Sequence, residues 1–272
     1  MNYRHAYHAG NHTEVFKHAA LIFVLERLME KPQPFAVLDT HAGIGLYDLT
    51  SEQAQKTGEA EEGVARVADR PLVTAPAYSS LIAQMNPDGL KTYPGSPEIV
   101  RRLMRADDRL MAVELHPADF ETLKARYRND RRIATHHRDG YEAIRGLLPP
   151  EIKRGLVFID PPFEKTDEAE RLGRALAVGL KRWPTGIFMA WYPIKDGRIG
   201  EVLAKAAAGM PKVLRAEFFP YGAGESSLPG SGLIVVNTPW KLDERLSALC
   251  AELAGRLGGG RGRWSVDWLT AS

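Results

Sequence analysis

The chain has 272 residues, of which 44% are apolar and 26% charged, enough for a substantial core and ordinary for a globular protein. The longest apolar run, Ala19 to Leu25, is too short to cross a bilayer, the N-terminus lacks the pattern of a secretion signal, and one cysteine, Cys250, excludes an internal disulfide and argues against a cysteine-based metal site. A cytoplasmic location and no metal are therefore expected, and the formal charge of +2 does not by itself indicate nucleic-acid binding.

Residues 1–10 (MNYRHAYHAG) have no core periodicity and are rich in aromatic and histidine side chains, with Gly10 as a flexible joint. They are expected to form a mobile lid. Asn11 and Glu14 have the spacing of an N-cap and its partner, so a helix is predicted from His12 to Glu30. Its middle is apolar all round and has to be covered on more than one side. Lys17 and His18 lie in its first turns, where either could face a cleft, although a histidine satisfied inside the fold explains His18 equally well.

Phe35 to Asp39 reads as the first strand, and Thr40 to Gly45 as the glycine turn that lets a ligand approach the backbone. A dinucleotide fingerprint needs a third glycine where Asp48 stands, which weakens a nicotinamide oxidoreductase reading. Residues 47–92 break the strand and helix alternation and read as an inserted helical subdomain, with helix-favouring Glu52 to Ala68 and Tyr78 to Met85. Ser96 and Pro97 are placed as N-cap and first residue of a helix through Arg105. Leu110 to Glu114 is the second strand, ending in an acid of the kind that binds ribose hydroxyls. His116 to Tyr127 reads as a helix and Arg132 to His136 as the third strand, followed by Asp139 and Gly140 where a ligand's base could dock.

The most specific stretch is Gly155 to Glu164 (GLVFIDPPFE), a buried strand running into Asp160-Pro161-Pro162-Phe163. The two prolines fix the backbone and offer no N–H donors, so a carboxylate and free carbonyls are held beside an aromatic ring. Such an acceptor cluster suits a flat base bearing an amino group. The plainer reading makes Asp160 a cap and Phe163 core. The motif nevertheless matches the [Asp/Asn/Ser]-Pro-Pro-[Tyr/Phe/Trp] signature of methyltransferases that act on exocyclic amines of nucleobases.

Helices at Asp167 to Trp183 and Gly197 to Ala208 alternate with strands at Gly186 to Tyr192, Val213 to Phe219 and Leu233 to Asn237. Pro220 to Gly232 is a glycine-rich loop, Leu242 to Leu257 an amphipathic helix that places Cys250 in the core, and Trp264 to Leu269 a short edge strand. Basic residues cluster at Arg101, Arg102, Arg105 and Arg109 and again at Lys124, Arg126, Arg128, Arg131 and Arg132, which a solvated face explains as well as an RNA contact.

Taken together the chain resembles the RlmJ family of bacterial 23S ribosomal RNA adenine-N6 methyltransferases. The resemblance spans nearly the whole length and is carried by YRHAYHAGNH (3–12), Lys17-His18, LDTHAG (38–43), YPGSP (93–97), ELHP (114–117), Asp139-Gly140, DPPF (160–163), WYP (191–193) and PWK (239–241). It implies a single α/β domain, residues 1–272, with a Rossmann-like class I S-adenosylmethionine-dependent methyltransferase fold built on a seven-stranded, mostly parallel sheet. It also implies cofactor contacts at His18, His41, Ser96, Glu114, Asp139, Gly140 and Asp160, and Asp160 as proton acceptor. Pro161 and Phe163 would complete the catalytic motif, Phe163 standing where many relatives carry tyrosine. Tyr3 and Lys17 would meet the 23S ribosomal RNA, at the family's target adenine 2030, with the protein acting as a monomer. A DNA adenine-N6 methyltransferase and a non-catalytic RNA-binding protein of the same fold remain as alternatives.

Overall fold

The computed structural model describes residues 7–195, 197–221, 228–257 and 259–270. Its centre is a sheet of strands β1 (Ala36–Asp39), β4 (Arg109–Glu114), β5 (Ile133–His137), β6 (Gly155–Ile159), β7 (Ile187–Ile194), β8 (Leu214–Phe219), β9 (Gly230–Val236) and β10 (Arg263–Trp268). They lie in the order β10-β8-β9-β7-β6-β1-β4-β5. The five strands from β7 to β5 run parallel, whereas β9 is antiparallel to both β7 and β8, and β10 is antiparallel to β8. The sheet has eight strands rather than seven, because the edge strand expected near Trp264 pairs along its whole length with β8 and belongs to the same sheet. β9 starts at Gly230, inside the stretch expected to be loop, because Gly230 to Gly232 pair with Tyr192 to Ile194 of β7, the Tyr192 ring lying where a side chain on Gly232 would stand.

Helices α6 (Ser96–Leu103), α7 (Pro117–Tyr127), α8 (Gly140–Leu147), α9 (Glu168–Arg182), α10 (Arg198–Ala207) and α11 (Leu242–Leu257) cover the sheet, with apolar cores on both faces. Helix α1 (His12–Met29) is buried along most of its length because it packs against α6, α11 and α5 (Pro76–Met85) as well as β9. This accounts for its all-round apolar middle. Asn11 caps it by accepting from the Glu14 amide at 2.9 Å. The Glu14 carboxylate does not return to Asn11 and turns to Lys17 instead.

Between β1 and β4 a small antiparallel pair, β2 (Leu46–Asp48) with β3 (Thr92–Pro94), closes off residues 49–91. The segment read as helix-favouring from Glu52 is cut into α2 (Glu52–Thr57), α3 (Glu59–Glu62) and α4 (Val64–Ala68) by glycines at 58 and 63. Residues 7–10 are hydrogen-bonded to this insertion: Thr57 donates to the Tyr7 carbonyl at 2.5 Å, His8 meets Glu59 at 3.0 Å and the Val64 amide reaches the Gly10 carbonyl at 2.7 Å. The carbonyls of Tyr7 and Gly10 thus tie these residues to the insertion on the far side of the expected Gly10 hinge. Residues 1–6, including Tyr3, lie outside the described residues.

No described helix is long and apolar enough to cross a membrane.

Candidate active site

The carboxyl ends of β1, β4, β5 and β6 carry a cleft lined by His41, Gly43, Glu114, Asp139, Gly140 and Asp160. Glu114 ends β4, where its carboxylate accepts from the amides of Gly43 at 2.9 Å and His116 at 2.7 Å. These bonds fix it against the glycine turn while burial pushes its pKa up. Asp139 caps α8 through the amides of Tyr141 and Glu142. Gly140 follows it so closely packed that a Cβ there would lie 2.4 Å from the Thr40 carbonyl. His41 sits edge-on to Tyr141, and its removal from water lowers its pKa to about 4.

The other two residues expected to touch a cofactor, His18 and Ser96, are buried beside this cleft and do not form its wall. His18 stacks on Tyr93 and shares a 3.0 Å hydrogen bond with its hydroxyl. Ser96 is not the N-cap of α6, a place held by Gly95. Its hydroxyl serves the carboxyl of Asp39, which is wholly buried at the end of β1 and has its pKa raised to about 7 by desolvation against the opposing pull of Ser96.

Beyond Asp160 lies a second cleft of about 370 Å3, lined by Lys17, Asp160, Pro161, Pro162, Phe163 and Trp191, among others. Asp160 and Pro162 belong to both clefts, so the residues after β6 form the partition between them. Lys17, expected to meet RNA, is only 2% exposed. Its ammonium donates to Asp160 Oδ2 at 2.5 Å, pairs with Glu14, and lies 5.0 Å over the Trp191 ring. One buried ammonium thus stands between two carboxylates at the partition, which keeps both oriented toward it.

Phe163 has a φ of 49°, a conformation that costs a bulky residue roughly 1–3 kcal/mol and persists only where the surroundings impose it. It turns the ring toward the second cleft, edge-on to Trp191 at 6.0 Å.

Several residues in or behind the walls were not assigned a role from sequence. Arg171 pairs with Asp139 and Glu168, both at 3.3 Å, and covers the Tyr141 ring at 4.7 Å. Trp191 stands in a recognisable motif without an evident role. Asp39 was legible only as the polar end of an apolar strand.

A mostly parallel sheet in which β9 and β10 run against the other strands, a ligand cleft at its carboxyl ends and an Asp-Pro-Pro-Phe partition define a Rossmann-like methyltransferase of the S-adenosylmethionine-dependent class. Residues 32–270 match the family described as "RsmJ: Ribosomal RNA large subunit methyltransferase D, RlmJ". Two proteins named "Ribosomal RNA large subunit methyltransferase J" are similar over 99% of this chain and 99% of their own: one from Escherichia coli at 38% identity and one from Haemophilus influenzae at 35%. A crystal structure of a Legionella pneumophila protein superposes with a TM-score of 0.89 at 30% identity, covering 96% of this chain and 98% of that one. The chain belongs to the RlmJ family.

Proposed function

We propose that the protein methylates the exocyclic N6 amine of an adenine in 23S ribosomal RNA, the family's target adenine 2030, with S-adenosylmethionine as methyl donor. The observation that carries this reading is the partition itself: Asp160 and Pro162 face a cleft lined by Glu114 and Asp139 on one side and an aromatic-walled cleft on the other.

The residues of the first cleft fit the cofactor chemically. Glu114 would offer a fixed carboxylate to ribose hydroxyls and Asp139 and Gly140 an acceptor and a backbone edge to the adenine ring, while His18 and Ser96, behind the wall, would act on the cofactor through Tyr93 and Asp39. When bound, the cofactor supplies an electrophilic methyl group on sulfur. Everything else falls to the chain. The lone pair of an aromatic amine is delocalised into its ring, so the site has to draw the amine toward a tetrahedral shape. Asp160 and the Pro161 carbonyl each accept one amine hydrogen, which aims the lone pair at the partition, and Asp160 takes the proton released. Lys17 holds the Asp160 carboxylate in place from behind and reaches the RNA only at the target base.

Phe163 stacks on a base flipped out of its helix or loop, worth roughly 1–3 kcal/mol. Holding the amine at attack distance supplies on the order of 7–11 kcal/mol at best. Tyr3 would meet the RNA next to this base. We take the protein to act in the cytoplasm, with its ribosomal RNA substrate, and as a monomer.

The test offers the protein labelled S-adenosylmethionine with 23S ribosomal RNA or DNA of the same sequence, and measures binding of S-adenosylmethionine against NAD. Label in N6-methyladenosine of the RNA alone, with S-adenosylmethionine bound and NAD not, is the expected result. Label in DNA, or none despite cofactor binding, contradicts it.

A further inference from the structure

The basic runs visible in the sequence are largely spent inside the fold. Arg101 and Arg102 pair with Glu98 at 2.7 and 2.8 Å, Arg105 with Asp108 at 3.0 Å, and Arg132 with Asp130 at 2.6 Å. Arg126 donates to the Ile44 carbonyl at 3.0 Å. These guanidiniums brace loops and helix ends. A different set of cations converges beside the base cleft. A hollow continuous with that cleft shares Phe163, Pro193 and Lys195 with it and adds Lys165, Arg198 and Glu170.

We propose that this hollow binds the sugar-phosphate backbone flanking the target adenine, with Lys165, Lys195 and Arg198 as its phosphate contacts. The inference rests on the proposed function and extends it to the surface that positions the RNA. Three observations support it. The hollow opens directly from the cleft where Phe163 would stack the base, so a strand whose base enters that cleft has to leave across it. Among the described residues that line it, three cations stand with one carboxylate, Glu170, which suits a polyanion. They come from three separate places: the turn after β6, the residue after β7 and the first residue of α10. Lys165, Lys195 and Arg198 are all exposed. Phosphate contacts of this kind fix register without reading sequence.

The experiment measures RNA affinity against salt concentration for wild type, Lys195→Gln, Arg198→Gln and, as the comparison, Arg128→Gln and Arg131→Gln at the exposed end of the basic run. Each of the first two should lower the slope of log affinity on log salt by about 0.7, with a raised KM for RNA. Arg198→Gln should keep wild-type turnover once RNA is saturating. Arg128→Gln and Arg131→Gln should leave the slope unchanged. An unchanged slope in Lys195→Gln and Arg198→Gln, while the wild type methylates the RNA, overturns this inference alone. An equal loss in the comparison variants overturns it as well. A wild type that does not methylate the RNA overturns the proposed function and this inference with it.

Discussion

Glu114 and Asp39 show how differently two buried acids are used. Glu114 accepts two backbone amides and still lines the cleft, where the proposed function has it meet the cofactor's ribose. Glu114→Gln removes a charged acceptor, a loss of roughly 1.5–3 kcal/mol, or on the order of 10- to 150-fold in Kd for S-adenosylmethionine. Calorimetry checks this, and an unchanged Kd would remove Glu114 from the site. Asp39 is buried without facing either cleft, and its folded pKa of about 7 lies above the usual 3.8. Between these values the folded state binds more protons than the unfolded chain, so Asp39 lowers stability progressively as pH rises through that window. The Tm of Asp39→Asn relative to wild type should therefore be higher at about pH 8 than at about pH 5, and an equal difference at both would contradict the assignment. The acids at strand ends were legible because apolar strands stop abruptly there. The partnership of Ser96 with Asp39 was not, because a Ser-Pro pair reads as a helix cap unless the buried carboxyl competing for the hydroxyl is known.

The seam between residues 7–11 and the inserted helices joins the start of α1 to α3 and α4. A Cβ on Gly63 would lie 2.1 Å from the Gly10 carbonyl oxygen and 2.5 Å from the Asn11 carbonyl carbon, so backbone rather than side chain has to move. Gly63→Ala should lower Tm by several degrees and speed hydrogen exchange at Val64, whose amide bonds to Gly10. Exchange as slow as in wild type would show that the seam is not held this way. Helix α1 and the strands were readable from periodicity and the Asn11 cap. Helix α8 was not read, although Asp139 caps it, because Asp139 and Gly140 looked like a docking point and in fact serve as cap and first turn together. The β2–β3 pair has only three residues a side and no alternation to betray it. Of the cations proposed to meet phosphates, Lys165 stands tens of residues before Lys195 and Arg198, and only the fold collects them.

Across the whole molecule, the sheet brings the ends of β1, β4, β5 and β6 together at one edge, and α1 crosses the same edge to deliver Lys17 and Glu14. The Asp-Pro-Pro-Phe motif announced the chemistry from sequence because its backbone is so restricted. That it forms a wall between two clefts depends on a contact across 143 residues, from Lys17 to Asp160, which no local pattern carries. The most direct test is the single-turnover rate of methyl transfer to 23S ribosomal RNA by Asp160→Asn, with S-adenosylmethionine affinity measured on the same preparation. The predicted result is a rate lower by roughly 10²–10⁴-fold with cofactor affinity changed far less, whereas a near wild-type rate would contradict the account.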